Sequence, residues 1–237
     1  MTPWPLHRRH IKIGPIPRDL DDPSTDGITI FKHYEPFLDP ATDKEKETED
    51  DDLPLRVICN VATDKEIRTL VFCSVTGKWR AVTSFAITGA TTTFRWLSYR
   101  GSRHYTCSCF FWTGYGKKAM LVLDTREMKF AHVDVPRESS YRMHSVVEVG
   151  GGRIGLLILG TRMLFLFSKT WPPDNNGGDG VEGWRYDDAI ALADRNWRLS
   201  GGDGEGYALL KGVEESATQY FLVEIKTLSV VCGETWH

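Results

Sequence analysis

The chain has 237 residues, 41% of them hydrophobic, and its 29 basic and 32 acidic side chains leave a formal charge of −3. That length supports one large domain or two small ones with a real core, and a near-neutral charge without a long basic stripe excludes a nucleic-acid footprint. No apolar run approaches the roughly 18–20 residues that a bilayer-spanning helix needs, and the N-terminus lacks the apolar core of a secretory signal. Five cysteines, an odd number scattered through strand-like segments, fit a reducing compartment, cytoplasmic or nuclear, with thiols used as small buried hydrophobes.

Residues 1–52 read as a proline-rich and acidic, largely irregular segment. Its first part is basic and free of acids, as in a transit peptide, but Pro3, Pro5, Pro15 and Pro17 oppose the amphipathic helix such a peptide needs. Asp19-Leu-Asp-Asp-Pro23 and Ser24-Thr-Asp-Gly27 mark turns, and Gly27-Ile-Thr-Ile-Phe31 is compatible with one short strand. Residues 43–52 hold seven acids and two lysines, a composition that repels itself and supports a solvated linker rather than a core.

Order is expected from Leu53 to the end of the chain. Strands are predicted at Leu55–Val61, Arg68–Ser74, Trp79–Val82 and Thr91–Trp96, from their β-branched and aromatic content. Residues 104–136 then read as a three-stranded meander: His104 to Trp112, Ala119 to Leu123, and Lys129 to Val135, before Pro136 stops the ladder. Lys129–Val135 alternates apolar and polar residues, as a strand with one wet face does, whereas Ala119–Leu123 is an unbroken apolar run that implies burial on both faces. Val146–Val149, Arg153–Leu159 and Met163–Phe167 form a further meander, followed by a loop at 172–180. Trp184-Arg-Tyr186 resumes a strand, while Asp187–Asp194 carries local helical propensity and is expected to form a short turn or nothing. The last unit is Tyr207–Leu210, Gln219–Ile225 and Ser229–Cys232.

The doubly apolar strand recurs. Leu70–Cys73, Met120–Leu123, Met163–Phe167 and Tyr220–Val223 each end at a polar residue, and those residues, Ser74, Asp124, Ser168 and Glu224, fall 50, 44 and 56 residues apart. This spacing is close to the ~50-residue period of a kelch-type propeller blade, and radially stacked blades hide both faces of their middle strands. The expected fold is therefore all-β, a partial β-propeller built from about four antiparallel kelch-like meanders, with a β-sandwich as the competing architecture.

Cys109-Phe-Phe-Trp-Thr-Gly114, Ala119-Met-Leu-Val-Leu-Asp-Thr-Arg-Glu-Met-Lys-Phe130 and Val133-Asp-Val-Pro136 together resemble the F-box-associated β-propeller of the large plant (grass-type) F-box protein family. Leu55–Cys59 with Val71–Trp79, Val147–Gly155, and Tyr220–Leu228 with Val231-Cys232 are similar to its other blades, so the resemblance covers residues 53–237. It implies a non-catalytic protein-interaction module, the substrate-recognition part of an SCF-type ubiquitin ligase, binding an unknown protein. The family's F-box, a helical module that contacts a Skp-type adaptor, is not recognisable. Ile16-Pro-Arg-Asp-Leu20 resembles its opening, but Asp21-Asp-Pro23 ends any helix within a turn. An adaptor contact would need an F-box supplied elsewhere. About 185 residues hold fewer than four blades of 50, which points to a shortened product with exposed sheet edges and a tendency to aggregate.

Motifs for chemistry are weak. Gly150-Gly-Gly-Arg-Ile-Gly155 satisfies a dinucleotide pattern formally but precedes a strand, which favours a hairpin turn. His104-x-x-Cys107-x-Cys109 lacks a second ligand pair, with the two cysteines on one strand face and His104 on the other. Asp174-x-Asn176 with Asp179-Gly180 fails the calcium-loop spacing at its glycine and glutamate positions. No catalytic residue, cofactor site or metal site is assigned. A propeller enzyme with a site assembled from distant blade loops is the alternative reading, and a truncated product without independent function is another. Trp79, Trp112 and Trp184 read as blade packing, whereas Trp171, at the lip of the 172–180 loop, is the candidate partner contact.

Overall fold

The computed structural model describes residues 12–21, 32–39, 56–63, 66–86, 102–113, 119–137, 143–172, 183–193, 196–203, 206–213 and 218–236. The acidic run at 43–52, the strands expected at 27–31 and 91–96, and the loop beyond Pro172 lie outside these residues. The fold is all-β and of partial-propeller type, made of four four-stranded antiparallel sheets, each with its strands in sequence order. The chain divides into two compact units, Met1–Phe94 and Arg95–His237.

The first unit holds sheet A: β1 (Lys32–Asp39), β2 (Arg56–Thr63), β3 (Glu66–Cys73) and β4 (Lys78–Ala86). All eight residues of β1 pair with β2, from Lys32 opposite Thr63 to Asp39 opposite Arg56. The blade therefore starts at Lys32, and the boundary expected at residue 53 falls between two strands of one sheet. Pro36 is tolerated inside β1 because the strand is at the sheet edge. A single helical turn, α1 (Arg18–Asp21), precedes it. Ile16 and Leu20 pack with Trp79 against Cys59, Val61 and Leu70, so this part of the proline-rich segment is ordered on the sheet.

The second unit holds three sheets. Sheet B comprises β5 (Ser102–Thr106), β6 (Cys109–Thr113), β7 (Ala119–Asp124) and β8 (Lys129–Asp134). Sheet C comprises β9 (Met143–Gly150), β10 (Arg153–Leu159), β11 (Met163–Thr170) and β12 (Arg185–Ala191). Sheet D comprises β13 (Asn196–Asp203), β14 (Tyr207–Val213), β15 (Thr218–Glu224) and β16 (Ser229–Trp236).

These sheets stack as propeller blades do. Along β10, Ile154, Leu156 and Ile158 join Phe111, Met120 and Val122 of sheet B in one core cluster. The intervening Leu157 and Leu159 join Ala208, Leu210 and Val223 of sheet D in another. Alternate side chains of a strand face opposite ways, so one unbroken apolar run is spent on two separate cores. The first strands draw together: β9 lies against both β5 and β13, and β5 also approaches β13.

Several expectations are corrected. The strand expected at His104–Trp112 is two strands, because Cys107 and Ser108 both adopt left-handed φ, 51° and 57°, and close a two-residue hairpin of the kind whose twist matches its flanking strands. Asp187–Ala191 belongs to β12, where pairing with β11 overrides helical propensity. Ser168 does not close its strand, since β11 runs on to Thr170.

Three of the four sheets share one backbone contact. Thr125, Trp171 and Ile225 each donate a backbone N–H to the turn before the second strand of their own sheet, at Ser108, Gly152 and Gly206, over 2.8–3.0 Å. Three of the four outer strands also carry a register shift against their neighbour, β4, β12 and β16. Such bulges twist an edge away from further pairing.

Candidate functional site

The junction of the first strands carries the densest buried polar chemistry of the second unit. His104 on β5 and His144 and Ser145 on β9 are all buried, and Ser145 Oγ lies 3.1 Å from His104 Nδ1. Burial, assisted by the neighbouring His144, lowers the His104 pKa to about 4, so the ring is neutral at physiological pH. A serine beside a neutral imidazole is the pairing that activates a nucleophile. Here Ser145 is 1% exposed and His104 5%, so neither atom can meet a substrate, and the pair instead ties β5 to β9. Thr106 donates to Glu148 Oε2 at 3.4 Å, a second polar tie between the same strands.

A second cluster spans three strands of sheet C. The register between β11 and β12 shifts so that Asp187 stands between residues paired with Leu166 and Phe167. The bulge aims its carboxylate at Ser168, which donates to it, while Arg153 donates to Ser168 in turn. Arg185 Nε donates to Asp187 Oδ1 at 2.8 Å, and Arg153 Nη2 lies 3.5 Å from the same oxygen. Burial works to raise the Asp187 pKa, but the hydrogen bonds from Ser168 and Arg185 and the charge of Arg153 outweigh it and hold it below the usual carboxylate range. This network is invisible in sequence, because the bulge that turns Asp187 inward is a product of strand pairing.

The motif residues separate. Cys107 sits in the β5–β6 turn and not on a strand face shared with Cys109. Burial raises the Cys107 pKa and pushes Cys109 up to about 12, so both thiols stay protonated and behave as packed hydrophobes. Among the described residues no group of His, Cys, Asp or Glu is placed to hold a metal ion. Gly150, Gly151 and Gly152 take left-handed φ of 79°, 61° and 69° in the turn from β9 to β10, and no helix follows them.

The tryptophans divide less simply than their sequence contexts imply. Trp112 is in the core, and Trp79 packs on Phe72 with ring centroids 5.4 Å apart. Trp184 is half-buried and donates its indole N–H to the Asp134 carbonyl at 2.5 Å, joining sheet C to sheet B. Trp171 is also half-buried: its ring meets Phe111 edge-on at 5.3 Å and packs against the cluster that includes Cys109. The seam between sheets B and C accounts for the position of that ring.

Among the described residues, sheet D presents an accessible apolar surface. Its central strand β14 alternates, with Ala208, Leu210 and Gly212 buried toward sheet C and Tyr207, Leu209, Lys211 and Val213 half-buried on the other face. On its outer strand Val230 is 50% exposed and Val231 is 51% exposed. In sheets B and C the corresponding central strands are buried on both faces.

No family model matches the chain. No curated protein matches it either. Among solved structures it is similar to one from a study of two prolyl endopeptidases and the role of inter-domain dynamics in their catalysis and specificity. That match has 14% identity and a TM-score of 0.41 over 74% of this chain and 24% of that one. It is also similar to a protein from Lactobacillus plantarum, at 10% identity and a TM-score of 0.40 over 87% of this chain and 59% of that one. The chain thus spans less than two thirds of either structure's length.

Proposed function

We propose that this chain is a non-catalytic protein-interaction module, of the kind its sequence resemblance implies, in which propeller-type blades recognise the substrate protein of an F-box-type ubiquitin ligase. The observation that supports the reading is the apolar edge of sheet D. Val230 and Val231 are adjacent, half-exposed valines on an outer strand; Val230 pairs with Val223, on the face opposite the half-covered Tyr207, Leu209 and Val213. A partner protein gains apolar burial there without any chemistry at the contact. Contact with a Skp-type adaptor would require an F-box on another segment or protein.

The test uses the whole chain expressed in plant cells. A module that binds a degradation target without recruiting the ligase shields that target, so a protein crosslinked through a photoreactive residue at Val230 should show a lengthened half-life. Val231→Glu should abolish both the crosslink and the protection. An unchanged half-life of the crosslinked protein, or a crosslink indifferent to the glutamate, overturns the reading.

A further inference from the structure

The first unit contains a contact that neither the sequence resemblance nor the reading above explains. One face of sheet A is covered by ten residues of the chain itself, 12–21, and the way it is covered is specific. Trp79 donates its indole N–H to the Gly14 carbonyl at 2.8 Å. Arg68 Nη1 donates to the Leu20 carbonyl at 3.0 Å. Between these two hydrogen bonds, Ile16 and Leu20 seat on Cys59, Val61 and Leu70. The turn is closed by the Leu20 N–H donating to the Pro17 carbonyl at 3.1 Å.

Both hydrogen bonds from the sheet read main-chain carbonyls, not side chains. That is the chemistry suited to a proline-bearing segment, in which Pro15 and Pro17 have no N–H to offer a sheet edge. An indole donor beside an apolar surface is also how aromatic-lined grooves engage extended proline-rich peptides. The specificity then lies in two apolar anchors four residues apart. Ile13, Pro15, Pro17, Arg18 and Asp19 all face solvent, so the segment is held along one narrow side.

We propose that this face of sheet A is a peptide-binding site for a partner segment of the pattern small-Pro-apolar-Pro-x-x-apolar, extended at first and ending in one helical turn. Residues 12–21 fill it in cis as a displaceable strap. Arg68 and Trp79 fix the main chain at the two ends, and the surface formed by Cys59, Val61 and Leu70 selects the anchors. Partner binding and strap release are one exchange, so the strap sets the affinity that a partner sees. This inference is independent of the proposed role of sheet D and stands if that role fails.

The experiment uses the full chain and a fluorescently labelled synthetic peptide of residues 12–21, read by anisotropy. I16S/L20S, which removes both anchors from the strap, should bind the peptide at least tenfold more tightly than the unaltered chain. A peptide carrying the same two serines should not bind. Equal binding to the two proteins, or none to a folded I16S/L20S, overturns the proposal. Should that variant unfold, an unaltered strap nicked at a protease site inserted between residues 22 and 31 decides the question. Exchange of the nicked strap for labelled peptide supports the site, and either failure to exchange or unfolding on release overturns it.

Discussion

Acid should weaken this fold through His104 in particular. The ring is buried at the β5–β9 junction beside His144 and Ser145, and its pKa falls from 6.5 to about 4. A histidine whose folded pKa is depressed binds its proton more readily when the chain is unfolded. Its contribution is therefore complete above pH 6.5 and is lost as pH falls from 6.5 toward 4. At about 1.36 kcal/mol per unit, the loss is on the order of 1 kcal/mol at pH 5.5 and on the order of 2–3 kcal/mol at pH 4.5. Other groups titrate in the same window, so the informative quantity is a difference. Urea denaturation of the unaltered chain and of His104→Gln, whose amide keeps a partner for Ser145 but cannot take up a proton, should be followed from pH 8 to pH 4.5. The stability of the unaltered chain should decline relative to the variant by about 2–3 kcal/mol across that range. Parallel curves would refute the reasoning and mean that the ring is hydrated or paired with a charge in the folded chain.

Three further outcomes follow from packing. Gly155→Ala should destabilise by about 1–3 kcal/mol in denaturant melts, because an added Cβ would lie 2.6 Å from Val149 Cγ1 and 2.9 Å from Val147 Cγ2; a neutral effect would mean that those valines give way freely. Asp187→Ala should cost about 1–3 kcal/mol by leaving Ser168 and Arg185 without their acceptor, and replacing Ser168 as well should add little if the residues act as one network. Trp171→Ala should lower stability by about 2 kcal/mol, since its ring fills the seam beside Phe111; a variant of unchanged stability and weakened partner binding would instead give the residue the contact role expected of it from sequence.

How legible a strand is in the sequence depends on where it sits in its blade. β7 is apolar nearly throughout and β11 over its first five residues, and their runs alone announce burial on both faces. β15 carries a similar run, but Val223 is its only fully buried residue, because one face of sheet D is only half covered. The first strands are the hardest. β1 (KHYEPFLD) and β13 (NWRLSGGD) mix proline, glycine and charge, and such segments form strands only because a neighbour supplies the ladder. Cys107 and Ser108 carry no turn signature either, yet both adopt left-handed backbone where the hairpin between β5 and β6 demands it. Of the site chemistry, the packing of the two thiols could be anticipated from the lack of a second Cys/His pair beside them, whereas the Asp187 network and the His104–Ser145 pair could not.

By itself the amino-acid order determined that this is a β protein of repeated meanders with a period near fifty residues, because apolar runs and turn residues act locally and their spacing is covalent. Tertiary structure alone decided which residues meet. Residues 12–21 lie across sheet A because Trp79 and Arg68 find carbonyls there, and His104 loses its affinity for a proton because β9 closes over it. Those outcomes depend on contacts between segments far apart in the chain, and distance in space is not written in any one of them.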